Sequence, residues 1–84
     1  MKKLSGGKSQ SLRDCVHAAL DQYFADLKGH AAENVYPMVI HEVEKAILES
    51  VMAQAEGNQT HAAEMLGINR STLRKKLKLH ELEP

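Results

Sequence analysis

The sequence contains little that would stabilise a small fold covalently. Its 84 residues include a single cysteine, Cys15, so no disulfide can form within the chain. One thiol outside any Cys/His framework is typical of a reducing cytosol, and we interpret Cys15 as a small apolar helix residue. The five histidines have no i,i+4 spacing and no partner cysteine, so we expect no metal and no cofactor. Self-association is the remaining support for so short a chain.

Long apolar runs and catalytic patterns are also missing. No stretch approaches the ~20 apolar residues that cross a bilayer, and the N-terminus lacks the apolar segment of a signal peptide. We therefore expect a cytoplasmic protein without a membrane partner. No Gly-rich phosphate loop is present, and Glu42 and Glu44 are interpreted as solvent-facing charges on different sides of one helix. An enzyme is not expected.

The formal net charge is zero, but the charge is sorted along the chain. Residues 1–9 carry three lysines and no acid, whereas residues 10–56 carry three basic and eight acidic residues. Residues 57–84 carry five basic and three acidic residues. All five basic ones fall within residues 68–80, where there is no acid. The chain thus has an acidic body and a basic tip.

The apolar pattern predicts an all-α chain of four helices. Apolar residues recur at helical spacing over residues 12–27, and Ser11 with Asp14 forms an acidic variant of the capping box at the start. Gly29 is the expected end of this first helix. Residues 1–10 are rich in Lys, Ser and Gly and are interpreted as a flexible N-terminal arm. No strand pattern is found anywhere in the chain.

The second helix is predicted to begin at Asn34 as N-cap, with Pro37 at its third position, and to stop at Gly57. Its apolar set is wide and consists of Val35, Tyr36, Val39, Ile40, Val43, Ile47, Leu48, Val51 and Met52. One partner helix covers a narrower stripe, so we expect the first helix on one side and a second copy of the chain on the other. Residues 11–56 are therefore the predicted dimerisation helices. The predicted dimer core consists of Val39, Val43, Ile47 and Val51.

A helix-turn-helix is predicted in residues 57–84. Asn58 caps its first helix, Ala63 is the small contact residue, Gly67 supplies the turn and Leu73 anchors the second helix. Asn69 or Ser71 can cap that second helix, from which Leu73 and Leu77 point inward. Its outer side carries the residues suited to phosphate oxygens and base edges, namely Arg70, Ser71, Thr72, Arg74, Lys75, Lys76 and Lys78. A solvated basic helix is the competing interpretation, but such helices usually mix charges of both signs.

Six segments resemble the Fis (factor for inversion stimulation) family. In the last third of the chain they are GNQT at 57–60, GINR at 67–70 and TLRKKLK at 72–78. In the front part they are LRD at 12–14, YFADL at 23–27 and EVE at 42–44. The resemblance runs from about Leu12 to His80 and is most specific at its C-terminal end.

This resemblance implies a homodimeric bacterial nucleoid protein whose first two helices intertwine with those of its partner as the dimer core. It implies two helix-turn-helices in adjacent major grooves of double-stranded DNA, DNA bending, and roles in transcription regulation and DNA compaction. RNA polymerase or a recombinase are the protein partners that it suggests. Matching positions imply base or backbone contacts for Asn69, Arg70, Thr72, Arg74 and Lys75. They imply phosphate contacts for Asn58, Thr60, Lys76 and Lys78.

The chain departs from the Fis pattern in three places. His61 and Leu79 stand where well-known relatives have basic residues, so flanking phosphate contacts are expected to be weaker. Ala46 stands where they have a proline, so the second helix is expected to be straighter. Residues 1–10 are expected to be too few and too rich in Gly, Ser and Lys to form the β-hairpin arm of relatives that stimulate DNA inversion.

Two other functions remain open from the sequence. The DNA-binding tails of larger enhancer-binding activators share part of the C-terminal pattern, though not usually the YFADL segment. A helical dimerisation or adaptor module whose basic tip binds an acidic protein would have the same charge distribution. Binding to duplex DNA at physiological salt, unaffected by an acidic peptide competitor, distinguishes a DNA-binding protein from the adaptor.

Overall fold

Four helices and one very short strand pair make up the part of the chain that the computed structural model describes, residues 5–6 and 10–83. The strands are β1 (Ser5–Gly6) and β2 (Gln10–Ser11). The helices are α1 (Leu12–Leu27), α2 (Val35–Gln54), α3 (Gln59–Leu66) and α4 (Arg70–Leu79). The predicted all-α fold class is confirmed. Of the helices described, none has both the length and the apolar character needed to span a bilayer.

The strand pair corrects two expectations from the sequence. β1 and β2 pair antiparallel, with Ser5 opposite Ser11 and Gly6 opposite Gln10. The expectation of no strand is wrong for these residues, and so is the expectation that residues 1–10 are too few and too rich in Gly, Ser and Lys for hairpin-like pairing. A backbone ladder this short needs no alternation of apolar and polar side chains. The remaining residues of the predicted flexible arm, 1–4 and 7–9, lie outside the described residues.

The chain divides into two compact units between Glu33 and Asn34. The first contains the strand pair and α1. Its predicted capping box is confirmed, because the Asp14 N–H donates to Ser11 Oγ at 3.1 Å and the Ser11 N–H donates to Asp14 Oδ2 at 3.5 Å. Gly29 follows the left-handed Lys28 at the end of the helix. No residue of α1 is buried, and its apolar side chains are half-buried or exposed.

The second unit contains α2, α3 and α4 around one small core. The buried apolar residues are Leu48, Ala55, Ala62, Ala63, Leu73 and Leu77. Because Leu48 and Ala55 belong to α2 and its C-cap, this helix is part of the compact unit that contains the helix-turn-helix. The boundary predicted from sequence, after residue 56, therefore divides the chain by expected role and not by compactness.

The two ends of α2 agree only in part with the caps predicted from the sequence. Asn34 is the N-cap residue and Pro37 the third helical residue, as predicted, but Asn34 is left-handed (φ 54°) and its side chain makes no capping hydrogen bond. At the other end, the left-handed residue that follows the C-cap is Glu56 (φ 54°). The Gly57 N–H then donates to the Met52 carbonyl at 3.0 Å, as in a Schellman ending. The helix therefore ends at Gln54, a little before Gly57, the residue at which the sequence predicted its end.

The fold predicts that substituting two leucines of α4 will lower the stability by very different amounts. Leu73 is fully buried, whereas Leu79 is 65% exposed. We expect Leu73→Ala to lower the free energy of unfolding by ~2–5 kcal/mol, because it leaves a cavity between α4 and its neighbours. Leu79→Ala is the matched control and should change stability by less than about 0.5 kcal/mol. Urea unfolding followed by circular dichroism measures both, and a larger loss for Leu79→Ala would contradict the packing.

Candidate nucleic-acid interface

The turn between α3 and α4 has the geometry of a helix-turn-helix. Asn58 caps α3, since its side-chain oxygen accepts the His61 N–H at 3.1 Å. Gly67 ends α3 in the left-handed region (φ 76°), where a residue with a Cβ is strained. The N–H groups of Gly67 and Ile68 donate back to the last turn of α3. Asn69 is the N-cap residue of α4, although its side chain makes no capping hydrogen bond.

The core decides how α4 is rotated about its axis. Leu73 and Leu77 are one turn apart and fully buried in a cluster with Ala62 and Ala63 of α3 and with Leu48 of α2. Both leucines were predicted to point inward, and this is confirmed. Since they occupy one side of the helix, the side chains on the opposite side must face solvent.

We define the basic face as the exposed polar and charged side chains of α4, which are Arg70, Ser71, Arg74, Lys75 and Lys78. Four of them, all except Arg70, line one surface hollow together with Glu83. Glu83 was not connected with this site from the sequence. It is brought there because the Leu82 N–H donates to the Leu77 carbonyl at 2.8 Å and Leu82 packs on the core.

The remaining predicted contact residues lie around this face. Asn58 and Thr60, near the start of α3, are exposed, as is Asn69 at the start of α4. Thr72 is half-buried. All of these polar groups belong to the two helices of the helix-turn-helix or to their caps. Their roles toward DNA stay predictions.

Lys76, by contrast, has a protein partner. Its Nζ donates to Glu44 Oε2 of α2 at 2.8 Å. The other carboxylate oxygen, Oε1, lies 2.9 Å from His80 Nε2, and the His80 ring also lies against that of His41, with 4.4 Å between centroids. Because a carboxylate only accepts, we assign the proton to Nε2 of His80. Among the described residues, no group of three or more His, Cys, Asp or Glu is placed to hold a metal ion.

The interpretation of Glu44 as a solvent-facing charge is wrong. It is half-buried, and it connects α2 with the last turn of α4 and the residue after it. One signal in the sequence could have found it, because Glu44 precedes the buried Leu48 by four residues and so shares its side of α2. Its partners could not have been identified from spacing, since they lie 32 and 36 residues away.

This network perturbs the titration of the carboxyl group. The hydrogen bond from Lys76, and then that from His80, hold the pKa of Glu44 below its ordinary value of 4.5, although burial acts in the opposite direction. A depressed folded-state pKa contributes stability that is present above the unfolded value and lost as the pH falls through the folded value. The Glu44 contribution is therefore lost in acid, below pH 4.5.

We expect the wild-type protein to lose more stability than the Glu44→Gln variant when the pH is lowered from about 6 to about 3, because only the wild type loses this ion pair. Urea unfolding at a series of pH values measures the difference. The control is Glu42→Gln, which removes an exposed carboxylate from the same helix and should retain the wild-type acid dependence. Parallel pH profiles for wild type and Glu44→Gln would contradict the assignment.

Comparison with known proteins agrees with the segments singled out in the sequence. The family model described as bacterial regulatory protein, Fis family, matches residues 39–79, and that of the DNA-binding protein Fis N-terminal domain matches residues 3–32. A Pseudomonas aeruginosa protein that is named as Fis-like and DNA-binding is 55% identical over 75 residues. The aligned part covers 89% of this chain and 72% of that protein. The chain is a helix-turn-helix protein that belongs to the Fis family of DNA-binding proteins.

Proposed function

We propose that the chain is a homodimeric DNA-binding and DNA-bending protein that acts in transcription regulation and nucleoid organisation. The observation that carries the proposal is the basic face of α4, held outward by the burial of Leu73 and Leu77. Duplex DNA is a dense polyanion, and a helix with exposed Arg and Lys on one side fits its major groove. Family membership supports DNA as the partner.

Arg70 is the proposed base-reading residue. It is exposed in the first turn of α4, and the N-terminal residues of a recognition helix are those that contact base edges. The guanidinium group can bond O6 and N7 of a guanine together. Asn69, Thr72, Arg74 and Lys75 are proposed as further contacts to bases or backbone in the groove.

Phosphate contacts are proposed on both sides of the recognition helix. Lys78 is exposed in the last turn of α4, and Asn58 and Thr60 are exposed at the start of α3. Contacts of this kind position a protein on the duplex without reading its sequence. They fit a protein that binds many sites with a degenerate preference.

A second copy of the chain is the proposed partner of α2. Leu48 and Ala55 lie on the side of α2 that faces the core, whereas Tyr36, Ile40 and Ile47 lie on a side rotated by roughly a quarter turn. These three residues are 77%, 44% and 45% exposed, respectively. An apolar stripe of this kind is unusual on a monomer, and an 84-residue chain gains needed core area by association.

The four proposed dimer-core residues differ in their surroundings. Ile47 is exposed, and Val39 and Val43 are half-buried near it on the helix. Val51 is half-buried and already packs against the core of the helix-turn-helix unit. It lies between the two sides of α2, so we propose that it contributes to both.

DNA bending follows from the proposed dimer if its two α4 helices lie closer than one turn of straight B-DNA, ~34 Å. The duplex must then curve to present two successive major grooves, and the additional protein–DNA interactions that the bend permits compensate the bending energy. By resemblance to the family, we extend the proposal to RNA polymerase or a recombinase as protein partners and to the nucleoid as the place of action.

The proposed dimer predicts the effect of a charge on the exposed side of α2. Ile47→Asp, or Val43→Asp, should abolish the dimer and the helical circular dichroism signal together, because a carboxylate in an apolar interface lacks a partner. Sedimentation and circular dichroism measure the two properties on one sample. Ala53→Asp, at an exposed position on another side of α2, is the control and should stay dimeric. A stable, helical monomer of Ile47→Asp would refute an obligate dimer.

Base reading and phosphate contact predict different results for two substitutions in α4. Arg70→Ala should cost ~1–3 kcal/mol per half-site on preferred DNA and flatten the preference for a guanine near the half-site edge. Lys78→Ala should weaken all sequences alike and lower the slope of log affinity against log salt by about one per subunit. Preferred and scrambled duplexes are titrated in parallel, with an acidic peptide as competitor.

Two results would contradict these assignments, one from the scrambled duplex and one from the peptide competitor. An equal loss on both duplexes for Arg70→Ala would make its role electrostatic. Displacement of DNA by the acidic peptide at physiological salt would favour an adaptor whose basic tip binds an acidic protein.

A further inference from the structure

Glu44 adds a polar contact to the apolar packing of Leu48 of α2 against Leu73 and Leu77 of α4. The backbones of α3 and α4 approach closely, as do those of α2 and α3. Between α2 and α4, Glu44 uses one carboxylate oxygen for each of two donors, Lys76 and His80. The donors are four residues apart, so they emerge on the same side of the chain as α4 ends.

The three side chains of this contact are buried to different degrees, and only His80 is fully enclosed. The His80 side chain is fully buried, and those of Lys76 and Glu44 are 35% and 25% exposed. Ion pairs that are fully exposed contribute little, because water and salt screen them. A charge-assisted hydrogen bond that is partly buried is screened less than an exposed one. The depressed pKa of Glu44 agrees with a carboxylate that remains ionised in this contact.

We infer that Glu44 is a positioning residue for DNA binding: it fixes the C-terminal end of α4 against α2 and withholds Lys76 from the phosphates. The inference rests on the proposed function, since it concerns how α4 meets DNA. Lys76 has its charge neutralised at 2.8 Å within the protein, so it adds no net cation to the basic face. Lys78, two residues later and exposed, remains a full cation there.

The consequence for DNA is measurable as a salt slope. Each phosphate neutralised by a protein cation releases counterions and contributes ~0.9 to the slope of log affinity against log salt. A lysine that is already paired within the protein contributes none. Lys76 and Lys78 thus form a matched pair on one helix, with the same side chain and opposite expected behaviour.

The first experiment compares Lys76→Met with Lys78→Met on one duplex over a range of salt concentrations. Methionine retains an apolar stem that can pack where the lysine stem packs. Lys78→Met should reduce the slope by ~0.9 per subunit, whereas Lys76→Met should leave it at the wild-type value. An equal reduction for both variants would overturn the inference, because Lys76 would then be a phosphate contact.

The second experiment uses Glu44→Gln, which preserves an oxygen acceptor and removes the charge. Lys76 is then an uncompensated cation near the DNA, so the slope should become steeper by ~0.9 per subunit and the ratio of affinities for preferred and scrambled duplexes should fall. Adding Lys76→Met to this variant should return the slope to the wild-type value. An unchanged slope for Glu44→Gln would contradict the inference that Glu44 keeps Lys76 from contacting phosphates.

A third measurement does not depend on DNA. The free energies of unfolding of the wild type, Glu44→Gln, Lys76→Met and the double variant form a double-mutant cycle. The double variant should lose less stability than the sum of the losses of the two single variants, because both remove the same contact. Additive losses would overturn the contact itself. If the wild-type chain bound duplex DNA without salt dependence, the proposed function would fail, while this cycle would still decide whether Glu44 holds Lys76.

Discussion

The burial of Leu73 and Leu77 is the constraint on which the rest of the proposed DNA-binding surface depends. α4 has ten residues, and an isolated helix of that length is marginal in water. It is therefore held in place by packing against α3 and α2 rather than by its own propensity. Once these two leucines are buried, the rotation of the helix is decided, and with it the outward direction of the basic face. The side of α4 that we propose to contact DNA is thus a consequence of an apolar contact on the other side of the same helix.

α2 takes part both in the core of the helix-turn-helix unit and in the proposed dimer. One side contributes Leu48 and Ala55 to the core of the helix-turn-helix unit, and another carries the exposed Tyr36, Ile40 and Ile47. Because both sides belong to one continuous helix, a dimer formed through the second side would place the two recognition helices at a defined spacing. A rigid connection of this kind is what DNA bending requires, since the duplex then adapts to the protein.

The ion pair of Glu44 adds an electrostatic reason for the stability of this arrangement. α4 carries four cationic residues among positions 74–78, and like charges so close on a helix repel one another. A carboxylate from α2 neutralises the one that lies next to the protein, Lys76, and leaves the exposed ones for solvent or DNA. The acidic residues of the body and the basic residues of the tip are therefore not wholly separate, although the charge distribution along the sequence suggests that they are.

The sequence by itself determined the features that depend on neighbouring residues. The capping box of Ser11 and Asp14, the cap of Asn58, the turn at Gly67 and the inward side of α4 all follow from spacings of a few residues. Tertiary structure alone decided the partners of Glu44, because a charge on a helix has many exposed alternatives and its choice depends on which helices pack together. It likewise decided that Leu82 returns to the core and carries Glu83 to the basic face. Local hydrogen bonds and apolar periodicity are encoded over one or two helical turns, whereas contacts across more than 30 residues exist only after the core has formed.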